Sequence, residues 1–347
     1  MRWEGVYVAG TGVWLGGPES ARSAVERGAY DPEQHAADEL LSVSVAAETM
    51  APPDMAVHAA TTALKRSGLD PGEVELLIHS GIWFQGVEMW PAASYVAGHA
   101  LGRGVTAFGL DQECNGGLGA LEVAARQVGA RPGAGAAMVT TADRFGAPLV
   151  SRWSSEPGFV YGDGGTALLL SARGGFARLL STASEADNSL EAVVRGPALR
   201  PLPSSGPLDL RGRVGHYLRS RGGLREATER VGAVVRSVVD TVLAESGTGR
   251  GDIARVVTLA SGLGRLQWQL PQLLGLPVSL STWEFARRVG HLGAGDQIAG
   301  FNDLVERREV RPGDRVLLVG GGSGFSCTCA VLEMVAAPEW EPSGRGR

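Results

Sequence analysis

Apolar residues recur at helical spacing from Asp54 to Gly68, and an Asp-Pro-Gly turn then leads into a buried run ending at Gly81. The pattern predicts an amphipathic helix, a turn and a strand. The same order returns in the second half: a helical pattern over Thr228–Gly247, a Gly/Asp turn, and a strand-like run over Ala254–Gly262. A further pair of strands is predicted late in each half, at Ala136–Ala142 and Gly164–Ser171, then at Asp314–Gly320 and Ser326–Glu333. Recurrence in one order points to a duplicated unit, with residues 1–171 and 172–347 as its two halves. Alternating strands and helices predict mostly parallel sheets covered by helices, an α/β fold. The stretch from about 191 to 225 is rich in Pro, Gly, Ser and Arg and is expected to be a long loop near the junction. Residues 337–347 are expected to form a frayed tail.

Composition narrows the function classes. With 347 residues, 44% of them hydrophobic and 20% charged, the chain has the balance of a globular protein of one large or two fused domains. A net charge of −5 excludes a basic nucleic-acid footprint as its main feature. Apolar runs such as Ala167–Leu170 are strand-length and too short to span a membrane. The start, Met1-Arg2-Trp3-Glu4-Gly5, lacks a signal-peptide core, so a cytoplasmic protein is expected. Cys114, Cys327 and Cys329 make neither a disulfide framework nor a zinc spacing, and no metal is expected. Cys327 and Cys329 are two apart in a predicted strand and are expected to share one core face.

Cys114 carries the candidate chemistry. It sits where a strand-like run ends and a helix begins, and small residues (Asn-Gly-Gly-Leu-Gly-Ala) follow it. A thiol at a helix start feels the positive end of the helix dipole, which favours the thiolate. A buried structural cysteine is the alternative. Of the six histidines, His35, His58, His79, His99 and His216 have no chemical neighbours in sequence, or read as packed or surface residues. His291 lies between glycines in Val289-Gly-His-Leu-Gly-Ala-Gly-Asp296, just ahead of a predicted helix. Five positions along a continuous helix are about 500° of rotation, so His291 and Asp296 would not share a face. Glycines at 293 and 295 allow a bent loop instead. Asp296 then either orients His291 for Cys114 or caps the following helix. The run Gly320-Gly-Gly-Ser-Gly-Phe325 between two strands offers backbone N–H groups for an oxyanion hole, or is a plain turn. It lacks the lysine of a phosphate-binding loop.

Taken together, the chain resembles the thiolase-fold ketoacyl synthase III family. The resemblance covers Val6 to Glu333 and is firmest around Cys114, at Tyr161-Gly-Asp-Gly-Gly165, and at Arg311-Pro-Gly-Asp followed by Gly322-Ser-Gly-Phe325. It implies duplicated βαβαβαββ halves in a five-layered αβαβα arrangement, and a homodimer. It also implies Cys114 as acyl-accepting nucleophile, with an oxyanion hole from the N–H groups of Cys114 and Ser323. Condensing members carry a His where this chain reads Ala260-Ser-Gly-Leu263, and an Asn where it reads His291. That His/Asn pair stabilises the enolate left by decarboxylation, and this chain lacks it. A Cys114–His291–Asp296 set looks instead like the acyltransferases of antibiotic tailoring that resemble ketosynthase III. Such an enzyme takes an acyl group from acyl carrier protein or CoA, binds no permanent cofactor, and passes the group to a hydroxyl or amine. Trp90 stands where relatives place an aromatic residue near the acyl pocket, across the dimer interface, with Trp83 and Phe84 as further pocket candidates. A decarboxylative synthase, a thioesterase and a non-catalytic partner of a synthase are the competing readings.

Overall fold

The computed structural model describes residues 1–130, 133, 135–156, 158–197, 199–201, 206–220, 223–338 and 340. Its strands are β1 (Tyr7–Leu15), β2 (Gly17–Ser20), β3 (Ser42–Val45), β4 (Leu76–Ser80), β5 (Thr106–Gly109), β6 (Ala136–Asp143), β7 (Gly164–Ser171), β8 (Ala177–Ala186), β9 (Ile253–Val257), β10 (Arg315–Val319) and β11 (Ser326–Met334). Among the described residues β2 pairs with β3, and the others form one sheet in the order β5-β4-β6-β7-β1-β8-β11-β10-β9.

The sheet is mixed, which corrects the expectation of mostly parallel pairing. Parallel ladders join β4 to β5 and β6, and β9 to β10. Antiparallel ladders make up the middle, from β6 through β7, β1, β8 and β11 to β10. Connection length is one reason. A parallel return needs a crossover of a dozen or more residues, whereas only Gly320 to Phe325 separate β10 from β11.

Strands buried on both faces set the layers. In β10, Val316 and Leu318 pack with the middle helices Gly116–Gly129 and Asp296–Glu306. Leu317 and Val319 face helix Gly223–Ser246, as do Cys327 and Cys329 of β11. In β6, Ala137 and Val139 face the middle helices, while Ala136 and Met138 face helix Pro52–Ser67. The two halves of this one sheet thus enclose the middle helices, and the layers run helix, half-sheet, helix, half-sheet, helix, the thiolase-like fold. The duplication reaches into the turns. Before β4 the Asp70 N–H donates to the Glu73 carboxylate at 2.8 Å, and before β9 the Gly249 N–H donates to Asp252 at 2.8 Å.

The expected long loop is also corrected. Helices Ala192–Arg195 and Leu210–Ser220 lie within 191–225, and helix Gly223–Ser246 starts there. The prolines stop at Pro207, and apolar residues at helical spacing follow, with Tyr217 buried against Leu190 and Ala192. Residues 198, 202–205 and 221–222 of that stretch lie outside the described residues. In the expected tail, Trp340 packs edge-on against Phe176 with ring centroids 4.8 Å apart, and the Arg66 guanidinium stacks on its ring at 4.7 Å. Residues 339 and 341–347 lie outside the described residues.

Leu318 is fully buried in the middle layer. Leu318→Ala is expected to lower unfolding free energy by about 2–5 kcal/mol, read from equilibrium urea unfolding.

Candidate active site

Cys114 lies in a single helical turn, Glu113–Asn115, that runs directly into helix Gly116–Gly129. Glu113 holds φ at 51°, a left-handed conformation rare for a side-chain-bearing residue. The helix then begins with two glycines. A Cβ at position 117 would stand 2.3 Å from the carbonyl oxygen of Ala294. Glycine there lets the Cys114 turn settle against Gly293–Gly295, the short turn between His291 and Asp296.

The three expected residues meet. Cys114 Sγ is 3.0 Å from His291 Nε2, and His291 Nδ1 donates to Asp296 Oδ2 at 2.6 Å. The bend that the sequence allowed is present, with Gly293 at φ 64°. Asp296 is the first residue of helix Asp296–Glu306, but its carboxylate does not cap that helix. Oδ1 accepts the Leu292 N–H at 2.7 Å, and Oδ2 also accepts the Ala260 N–H at 2.7 Å. The capping alternative therefore falls, and the carboxylate faces the histidine and the two backbones beside it.

Burial disfavours the imidazolium of His291, but Asp296 and the Cys114 sulfur outweigh it, so its proton affinity lies well above that of a free histidine. Burial pushes the Cys114 thiol up, and His291 pulls it the other way. The net direction is upward, with burial ahead of the imidazole, while Cys114 keeps partial exposure at the cavity.

Several residues without a local sequence signal complete the surroundings. Phe159 and Tyr161 lie 4.8 and 5.6 Å from the imidazole, centroid to centroid. Tyr161 donates to Glu156 at 2.5 Å, and the Arg265 guanidinium stacks on Phe159 at 4.5 Å. The Glu113 carboxyl is pushed up to about 7 by burial and then by Asp111 and Glu156, with His291 opposing. Only the Tyr161-Gly-Asp-Gly-Gly165 stretch pointed towards this cluster.

A cavity of about 440 Å³ opens onto Cys114. Ser323 shares its wall with Cys114, while Val193, Val194, Val214 and Leu218 from the 191–225 segment supply apolar lining. Trp83, Phe84 and Trp90 do not line it. Beyond β4 the Ile82 and Trp83 N–H groups are held by Asp143 at 2.8 and 3.0 Å, and Trp83 packs beside Phe145 and Tyr161. Phe84 is 45% exposed, and Trp90 rests on Tyr95, with ring centroids 5.2 Å apart. Among the described residues, no group of three or more His, Cys, Asp or Glu could hold a metal ion.

Likeness to known proteins agrees with this geometry. Residues 243–334 match the family model described as 3-oxoacyl-[acyl-carrier-protein] synthase III C terminal. The solved structure of ChlB3, described as an acyltransferase, is 37% identical with a TM-score of 0.92, over 97% of this chain and 99% of that one. A β-ketoacyl-[acyl-carrier-protein] synthase III of Nitratidesulfovibrio vulgaris is 27% identical, over 80% of this chain and 82% of its own. The 3-oxoacyl-[acyl-carrier-protein] synthase III structure from Aquifex aeolicus shares the fold, at 20% identity and a TM-score of 0.78 over 94% of this chain and 99% of that one. The protein belongs to the ketoacyl synthase III family, a group of acyl-transferring enzymes on the thiolase-like fold.

Thiols alkylate as thiolates, and His291 holds the Cys114 pKa below where burial alone would put it. His291→Ala is therefore expected to slow iodoacetamide alkylation of Cys114 at neutral pH and to move its pH profile upward. An unmoved profile would remove the imidazole from thiol activation.

Proposed function

We propose that this enzyme carries an acyl group from an acyl carrier protein or CoA thioester, as a thioester on Cys114, to a hydroxyl or amine. The acceptor is a small molecule such as a sugar or cyclitol, in natural-product tailoring. The observation that carries the reading is the line Asp296–His291–Cys114, with distances of 2.6 and 3.0 Å. Beside it, the stretch in which condensing members hold a histidine is Ala260-Ser-Gly-Leu263, and Ala260 gives its N–H to Asp296. The likeness to ChlB3, described as an acyltransferase, supports the same choice.

In the first step Cys114 sulfur attacks the thioester carbonyl carbon while its proton passes to His291 Nε2. The N–H groups of Cys114 and Ser323 hold the resulting oxyanion, and collapse expels the donor thiol, which takes the proton from His291. In the second step the acceptor O–H or N–H attacks the Cys114 thioester and gives its proton to His291. Collapse returns the sulfur as thiolate beside the imidazolium. Asp296 supports both steps by raising the basicity of His291 and fixing the ring through Nδ1. The apolar walls suit an acyl chain or an acceptor of low polarity. No permanent cofactor enters the scheme.

A homodimer and a cytoplasmic setting are part of the proposal. Strand β5 ends the sheet, and Phe84, Val87, Met89 and Phe108 are exposed, a combination that suits pairing with a second copy. In such a dimer the loop carrying Phe84 and Trp90 is offered to the partner. No helix among the described residues is long and apolar enough to cross a membrane.

Intact-protein mass spectrometry after mixing with acetyl-, hexanoyl- and benzoyl-CoA tests the reading. Wild type is expected to gain an acyl adduct, Cys114→Ala none, and His291→Ala a long-lived one. Transfer to acceptor should fall ~10²–10⁴-fold in His291→Ala. Brisk CO₂ release from malonyl-CoA would return the enzyme to the condensing class, and rapid loss of the adduct to water alone would make it a thioesterase.

A further inference from the structure

Asn115 follows the nucleophile and is 1% exposed. An asparagine at a helix start ordinarily bonds that helix's own first N–H groups, yet Asn115 makes no such cap. Its amide turns across the fold instead. Oδ1 accepts the Thr328 N–H at 2.9 Å, while Nδ2 donates to Gln112 Oε1 at 2.8 Å, Thr328 Oγ1 at 3.0 Å and Ser326 Oγ at 3.3 Å. Two protons serve three acceptors, so the amide's donor capacity is filled.

These bonds run from the nucleophile turn to the start of β11, the strand that leaves the Gly320–Phe325 loop. The loop closes on itself through Gly320 N–H to Thr328 O and Gly322 N–H to Ser326 O, both at 2.8 Å. A Cβ at 320 would stand 2.5 Å from Asn115 Oδ1. The loop thus seats directly on the Asn115 amide. Thr328 Oγ1 is 2.8 Å from Ser184 Oγ, which donates to Glu122 of helix Gly116–Gly129 at 2.7 Å, so the threonine is itself anchored to the nucleophile's helix.

Resting on the acyl-transfer reading above, we propose that Asn115 is a positioning residue that holds the Ser323 loop in register with Cys114, so that their two N–H groups converge on one oxyanion. It lies behind the cavity wall and acts only through the loop. Oxyanion donors work when they are fixed in place before the charge develops, and a misplacement of about 1 Å can cost ~10²-fold.

Two rates at the same thiol separate this role from plain stability. Alkylation by iodoacetamide forms no oxyanion, whereas acylation by a thioester does. With whichever of acetyl-, hexanoyl- or benzoyl-CoA acylates wild type, Asn115→Ala is expected to lose about 10- to 100-fold in acylation rate and keep its alkylation rate. Thr328→Val keeps the backbone N–H and loses the hydroxyl, so it should show the same selective loss to a smaller degree. The double variant should lose less than the product of the two, because both act on one bond network. A merely structural asparagine would lower the melting temperature and leave the ratio of the two rates alone. An unchanged ratio overturns the proposal, and if Asn115→Ala does not fold, an unchanged ratio in Thr328→Val overturns it alone. Wild type forming no adduct would instead sink the acyl-transfer reading, and this proposal with it.

Discussion

The site depends on how closely the start of helix Gly116–Gly129 can approach the turn Gly293–Gly295. The sulfur–imidazole contact joins residues 177 positions apart and is made at the meeting of two buried middle-layer helices. Any side chain at 117 would meet the Ala294 carbonyl and push the turn away. Close packing transmits such a displacement instead of absorbing it. The bend at Gly293 is the matching requirement on the other side. It turns a five-residue separation into a hydrogen bond, leaving His291 between a carboxylate and a thiol.

A second buried charge organises the surroundings of that histidine. Asp163, fully buried, pairs with Arg152, whose Nη1 and Nη2 each reach a carboxylate oxygen at 3.1 Å. Asp163 also accepts the N–H groups of Ala46 and Phe145, both at 2.9 Å, while Arg152 donates to the Tyr161 carbonyl at 2.9 Å. An ion pair this far from water is sustained by filling the remaining hydrogen-bonding capacity of both partners. The result ties Phe145, Arg152, Tyr161 and Asp163 together, with Tyr161 beside His291. The His291 N–H donates to the Val160 carbonyl at 2.8 Å, and the Gly162 N–H to the His291 carbonyl at 2.9 Å. Phe159 and Tyr161 take their places around the imidazole from that backbone pairing, and the Tyr161 hydroxyl reaches Glu156.

The cavity combines this polar floor with apolar walls from a segment of different character. After the Pro- and Gly-rich stretch, helix Leu210–Ser220 turns Val214 and Leu218 into the cavity lining. Cys114, His291 and the Gly320–Phe325 loop thus sit on the buried scaffold, while much of the apolar lining of the cavity comes from outside the sheets.

Many of the strands and helices, and the three residues that meet around Cys114, were legible in the sequence, because period, glycine placement and residue chemistry are local properties. Cys114 announced itself at a strand-to-helix junction, and His291 and Asp296 by the glycines between them. Tertiary structure alone decided the rest. Antiparallel pairing at the centre of the sheet is a choice of spatial neighbours, which alternating elements do not encode. How burial and His291 balance at the Cys114 thiol depends on how much water the folded chain removes, and no residue pattern records that. Glu113, Glu156, Phe159 and Arg265 gather at the site from separate places in the chain. The amide of Asn115 turns from its own helix to a strand more than two hundred residues away, because folding has put better partners there.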